Sequence, residues 1–365
     1  LEIRFTKPLS MSTSSNALRD FLAAQFAAAE GRMPFERFME LALYDPDFGY
    51  YTRHIASVGG RRADFATSAT ISPILGQAIA GWLQDERNSH GWAKQPWHVI
   101  EVGGGDGSLA QAVLEALTWG ERRKLSYYLV EISPVLEAVQ REALGRRTRG
   151  VTWHRDITTP LDAAGGRALI FSNELVDAFP ARLMRWNAQR AAADEVWVEY
   201  NPERGLRECF LAADERGGEG AAFADGQRFE RHDSYRRWLR SWATKWKAGT
   251  LLTIDYGGRD AAAIYAKRPL GTLRGFHRHQ RCEGASIYRH FGKQDLTCDV
   301  NFADLEEWGS ELGWETVIVE SQADFFRRQL VEEDFVKDRA TAFLLDAEGA
   351  GGVFQVLTQR VTTDS

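Results

Sequence analysis

No stretch constrains this chain more than Val99-Ile100-Glu101-Val102-Gly103-Gly104-Gly105-Asp106-Gly107-Ser108-Leu109. Trp97 to Val102 is mostly apolar, the composition of a strand covered on both faces. Gly103, Gly105 and Gly107 let the backbone turn sharply and admit a ligand where a Cβ would clash. From Ser108, Leu109, Val113, Leu114 and Leu117 recur at helical spacing. A strand that feeds a helix through glycines presents free N–H groups to a ligand.

The glycine spacing narrows the ligand. A dinucleotide fingerprint runs G-x-G-x-x-G; here Ser108 holds the third site and the third glycine arrives one residue early. The run is acidic-x-G-x-G-x-G with Glu101 as the acid, and no P-loop pattern is present. Further apolar strands are expected at Leu125–Ile132, Gly150–Trp153, Arg167–Ser172 and Gly249–Gly258, alternating with helical patterns. A helix near 302–312 and strands at 315–319 and 353–361 follow. This order indicates an α/β, doubly wound sheet. Ahead of it, 16–30 reads as a helix, and Arg32-Met33-Pro34-Phe35 starts a second one, with proline near its first turn, that runs through Leu43; the aromatics here either pack as a plug or roof a binding cleft.

Candidate ligand residues sit at the strand ends. Glu131 ends the second strand, 24 residues past Gly107, where an acidic side chain commonly receives ribose hydroxyls. Asp156, after the third strand, is where a contact to an adenine edge would fall, with a turn aspartate the equal alternative. Asn173, Glu174 and Asp177 follow the fourth strand, in the crevice where open α/β sheets bind ligands. A helical turn there would put Glu174 and Asp177 on one face. Asp64, Thr67 and Ser68 belong to a hydroxyl-rich segment before the helix expected at 74–88, which one of Thr70 or Ser72 is expected to cap.

With 44% hydrophobic and 26% charged residues, the composition is that of an ordinary globular protein. The formal charge of −6 argues against bulk attraction to nucleic acid, although seven Lys or Arg face one acid between Ile264 and Lys293. No apolar run reaches the roughly 20 residues of a membrane span. The three cysteines are scattered and no H-E-x-x-H spacing occurs, so no metal is expected. Residues 1–10, ahead of Met11, are set aside from the fold as a scar or trimmed leader. Cytoplasm is the expected location or, if those residues are a trimmed leader, the mitochondrial matrix. Nothing in the sequence sets an oligomeric state.

The acidic G-x-G-x-G loop resembles motif I of class I S-adenosyl-L-methionine (SAM) methyltransferases, a Rossmann-like fold whose last two strands form an antiparallel hairpin. A closer resemblance spans residues 30–360 in order. Met33-Pro34-Phe35, Leu43-Tyr44-Asp45-Pro46 with Gly49-Tyr50-Tyr51, and Asp64-Phe65 with Thr67-Ser68 resemble the MidA / complex I assembly factor 7 methyltransferase family. So do Ser172 to Pro180, Ile254-Asp255-Tyr256-Gly257, Gly271 to Arg274, and Asp295-Leu296-Thr297 with Asp299-Val300 and Phe302. The chain departs from the family pattern at Ala69-Thr70 and at Asn301, positions that bear on substrate identity rather than on fold.

The resemblance implies a methyltransferase domain over 96–365, with insertions at about 185–245 and 257–300, behind a leader and helical cap over 1–95. It implies SAM as cofactor, held by Glu101, Gly103, Gly105, Gly107, Glu131, Asp156 and Asn173. It implies protein arginine methylation, with a respiratory complex I subunit as the mitochondrial members' target. Asn173, Glu174 and Asp177 are the expected catalytic residues; Tyr50, Tyr51, Asp64, Thr67, Ser68, Asp255 and Tyr256 are expected at the substrate. The rival readings are a methyltransferase for RNA or a small molecule, a nicotinamide oxidoreductase, and a non-catalytic SAM-binding assembly factor.

Overall fold

The computed structural model describes residues 13–55, 72–213, 223–278, 280–331, 339–346 and 349–361. The chain divides into two units. One holds Leu1–His54, Phe179–Ser234 and Asp260–Asp299; the other holds Ile55–Ala178, Tyr235–Arg259 and Val300–Ser365.

The second unit is built on a sheet whose main strands are β1 (Trp97–Val102), β2 (Leu125–Val130), β3 (Val151–His154), β4 (Leu169–Asn173), β5 (Thr250–Gly258), β6 (Trp314–Ser321) and β7 (Phe354–Val361). Their spatial order is β3-β2-β1-β4-β5-β7-β6. Strands β1 to β5 pair in parallel, while β7 runs antiparallel to both β5 and β6. The sequence therefore folds into the expected doubly wound sheet with a closing antiparallel hairpin. The order reverses beside β1, between β2 and β4, and a ligand crevice opens at such a switch point.

The core explains these strands. Val99, Leu129, Leu169, Phe171, Leu252 and Ile254 are buried in one cluster with the helices Ile74–Ser89 and Ser108–Ala116. The helix Ile74–Ser89, on the cap side of the boundary expected at residue 95, packs Leu75, Ala78, Ile79 and Leu83 into this same core. Its start is bounded by Pro73, and the Ser72 hydroxyl accepts from the Ile74 N–H at 3.4 Å. Thr70 lies outside the described residues. After the helix Asp233–Trp242, Trp242 and Trp246 pack on Trp314 at ring separations of 5.5 and 5.1 Å. The indoles between 238 and 246 thus belong to the core of the sheet unit, and the intervening antiparallel elements end before them.

In the other unit, four antiparallel strands lie in the order Arg32–Pro34, Ala192–Asn201, Arg182–Asn187, Arg228–Arg231, and Gly205–Ala212 pairs with Ala192–Asn201. The hairpin expected after residue 182 is thus part of a five-stranded sheet that recruits a short strand from the N-terminal region. Gln280–Cys282, Arg274–His277 and Asp295–Thr297 form a separate three-stranded sheet. Phe35, Phe38, Met39 and Leu43 of the helix Phe35–Tyr44 are buried, so these side chains pack as core.

Candidate functional site

The glycine loop leaves β1 with Gly103, Gly105 and Gly107 at φ of 74°, 52° and 85°, all in the left-handed region that glycine enters without strain. Asp106 accepts from the Ser108 N–H at 2.9 Å and closes the turn into the helix Ser108–Ala116. The expected strand–turn–helix is formed, and its first N–H groups face the carboxyl edge of the sheet.

Two buried carboxylates flank the loop. Glu101 is fully enclosed on β1, and its Oε2 accepts from the Tyr127 hydroxyl at 2.5 Å. Its Oε1 has no hydrogen-bond partner among the described residues. Burial, reinforced by Glu131 and Asp106, pushes its pKa up to about 7. Glu131 is also buried, and burial raises it to about 7 against hydrogen bonds from Ser133 and Gln140. Its Oε1 accepts from the Ser133 N–H at 2.8 Å and its Oε2 from the Gln140 amide at 3.0 Å.

Asn173 ends β4, next to β1 in the sheet. Its Nδ2 donates to Glu174 at 3.1 Å, while its buried Oδ1, like Glu101 Oε1, lacks a partner among the described residues. Two enclosed, unfilled acceptors at the ends of adjacent strands suit a ligand ammonium. Glu131, with about four acceptor positions on its two oxygens, retains capacity for hydroxyl donors. These residues fit an amino-acid nucleoside such as SAM.

The segment after β4 does not form the helical turn expected there. Glu174 has φ 51°, and only Val176–Ala178 forms a short 3₁₀ turn. A left-handed non-glycine residue at a strand end is sterically costly and is found where surrounding contacts over-determine the backbone. The contacts here come from Asp255 on β5. Its Oδ2 accepts from the N–H groups of Val176 and Asp177 at 2.9 and 3.2 Å, and its Oδ1 from its neighbour Tyr256 at 2.9 Å. Asp255 is fully buried, and burial with the nearby Asp177 and Glu174 charges drives its pKa well above the carboxylate range. Asp255, expected at the substrate, is instead closed beneath the loop as its brace. Tyr256 is half-buried and its hydroxyl donates a short hydrogen bond to Asp177.

The other expected residues make contacts of their own. The Asp156 carboxylate is exposed and accepts from the hydroxyls of Thr158 and Thr159 and the Thr159 N–H; the Thr158 bond heads the causes that hold its pKa near about 2. These are contacts that a turn aspartate makes. Tyr50 and Tyr51 lie in the antiparallel unit: Tyr50 is buried, and the Tyr51 hydroxyl donates to Asp295 at 2.7 Å. Asp64, Thr67 and Ser68 lie outside the described residues. Gln140 and Tyr127 were not legible as site residues, because their partners come from distant strands and loops. Among the described residues there is no cluster of three His, Cys, Asp or Glu suited to a metal, and no helix long and apolar enough to cross a membrane.

The sequence pattern of a family described as S-adenosyl-L-methionine-dependent methyltransferases matches residues 78–319. Two solved structures from Burkholderia thailandensis resemble the chain throughout. One, bound to S-adenosyl-homocysteine, is 26% identical with a TM-score of 0.79, the match covering 99% of this chain and 96% of that one. The other, a native crystal structure, has a TM-score of 0.77 at the same identity and coverage. Among curated relatives, the Protein arginine methyltransferase NDUFAF7 homolog, mitochondrial, of Drosophila melanogaster is 31% identical over 45% of this chain and 42% of its own length. Protein arginine methyltransferase NDUFAF7, mitochondrial, of Danio rerio is 27% identical over 85% of this chain and 76% of its own. The chain's match thus spans less than half of the first of these relatives.

Proposed function

This chain belongs to the family of S-adenosyl-L-methionine-dependent methyltransferases matched over residues 78–319, and from that premise we propose that it methylates arginine side chains of a protein. The observation that carries this reading is the acidic group after β4. Glu174 and Asp177 are held at the carboxyl edge of the sheet by the buried Asp255, with Tyr256 bonded to Asp177. A guanidinium is a planar cation with five donors, and paired carboxylates recognise it in a defined orientation.

In this reading Glu101 and Asn173 would receive the ammonium of the cofactor and Glu131 its ribose hydroxyls, with the glycine loop giving it room. When bound, SAM supplies an electrophilic sulfonium methyl. Glu174 and Asp177 would orient the acceptor guanidinium and so fix which Nη presents its lone pair. The Glu174 carboxylate, the more open of the two, would take the proton that the methylated nitrogen loses. Positioning and exclusion of water account for most of the acceleration such a transfer needs.

The relatives named as protein arginine methyltransferases support the acceptor class, and their mitochondrial names support the matrix among the two expected compartments. A subunit of a complex I-type enzyme is the acceptor implied by the family resemblance. The test is transfer of a labelled methyl group from SAM into cell lysate, followed by identification of the labelled amino acid. Methylarginine, lost in Glu174→Gln and Asp177→Asn proteins that still bind SAM, is the expected result. Label in RNA or in small molecules would overturn the assignment.

A further inference from the structure

We propose that Gln140 is a positioning residue that locks the glycine loop and Glu131 into one rigid cofactor cradle. The inference rests on Glu131 being the carboxylate that receives the ribose. Gln140 lies on the helix Pro134–Leu144 and is fully buried. Its Nε2 donates to the Gly105 carbonyl at 2.9 Å and to Glu131 Oε2 at 3.0 Å. Its Oε1 accepts from the Trp153 indole at 3.0 Å. One side chain thus ties together the loop after β1, the end of β2 and the strand β3.

The other Glu131 oxygen is held from the same helix. Ser133 accepts from the Leu136 N–H at the helix start, and its own N–H donates to Glu131 Oε1. The carboxylate is therefore fixed on both oxygens by one rigid element. The glycine loop packs on that element as well. A Cβ on Gly107 would lie 3.0 Å from Gln140 Cα, and one on Gly104 would lie 3.3 Å from Gln140 Nε2. The early third glycine is thereby explained: it gives room to the residue that anchors the loop.

The chemistry selects glutamine. The position needs two N–H donors and one acceptor at the end of a three-carbon reach, and glutamine alone among side chains of that length offers both. Glutamate would set a second charge against Glu131, and leucine would leave the Gly105 carbonyl, Glu131 and the Trp153 N–H each short of a partner. The hydrogen bond from Gln140 also favours the charged form of Glu131.

The test is a double-mutant cycle on SAM affinity, measured by calorimetry across pH with Gln140→Leu, Glu131→Gln and the double variant, and with melting temperature recorded for each. Gln140→Leu is expected to weaken SAM at least tenfold. The same substitution in the Glu131→Gln background should cost at least threefold less, and in Gln140→Leu the midpoint of the affinity–pH profile should move upward. A purely structural role would lower melting temperature without moving the pH midpoint. Gln140→Met, which keeps length without donors, stands in if the leucine variant does not fold. Affinity within twofold of the parent, or an additive cycle with an unmoved midpoint, would overturn the role of Gln140. Full affinity in Glu131→Gln alone would instead overturn the ribose assignment on which it rests.

Discussion

The hydroxyl of Tyr256 donates to the carboxylate of Asp177, 79 residues earlier in the chain and on the far side of a strand pairing. The two residues are therefore not independent. Asp177 is presented by a loop that Asp255 braces, and its charge is steadied by the phenol beside Asp255. A substitution at Tyr256 should read out on Asp177.

Tyr256→Phe keeps the ring and removes the donor. A hydrogen bond to a charged group is worth about 1.5–3 kcal/mol. We expect SAM affinity within twofold of the parent and methyl transfer slowed about tenfold, or ~1.4 kcal/mol of barrier. Calorimetry and initial rates on the same preparation check this. An unchanged rate would separate the phenol from the reaction.

Gly107 combines φ 85° with a Cβ position 3.0 Å from a backbone atom of Gln140, whereas Gly120 has open space and no positive φ. Gly107→Ala should cost at least ~1–2 kcal/mol of stability from the left-handed backbone alone, and SAM affinity should fall with it. Gly120→Ala should be neutral or slightly stabilising. Thermal melting and SAM titration of the pair compare strain with its absence.

The two raised carboxylates set a pH dependence. Glu101 and Glu131 hold their protons to about 7 in the folded protein, against an ordinary 4.5. Between about 4.5 and 7 the folded state therefore binds more protons than the unfolded chain, so stability falls as pH rises through that window and levels above it. The size is of the order of 3 kcal/mol for each carboxyl. A cationic cofactor prefers the charged carboxylates, so SAM should bind more tightly, and stabilise more, at pH 8 than at pH 5.5. Melting curves with and without SAM at both values check the sign. Glu131→Gln should flatten the profile of the free protein.

Much of this was readable from residue order because it depends on local rules. Apolar strand runs, helical spacing from Leu109 to Leu117, and Ser133-Pro134 at a helix start each report the backbone within a few residues. The order of those elements limits an α/β chain to few sheet topologies, and strand ends then gather Glu101, Glu131 and Asn173 at one edge. Tertiary structure decided what those residues touch. Gln140 meets Gly105 35 residues away, and Asp255 meets Val176 79 residues away; neither pairing leaves a periodic mark in the sequence. The helical turn expected from Glu174 to Asp177 gives way to a left-handed residue because Asp255 captures the Val176 and Asp177 N–H groups. Likewise Arg32–Pro34 becomes a strand because Trp197–Glu199 offers an edge to it. Local propensity is a weak term, and a buried carboxylate accepting three backbone N–H groups outweighs it.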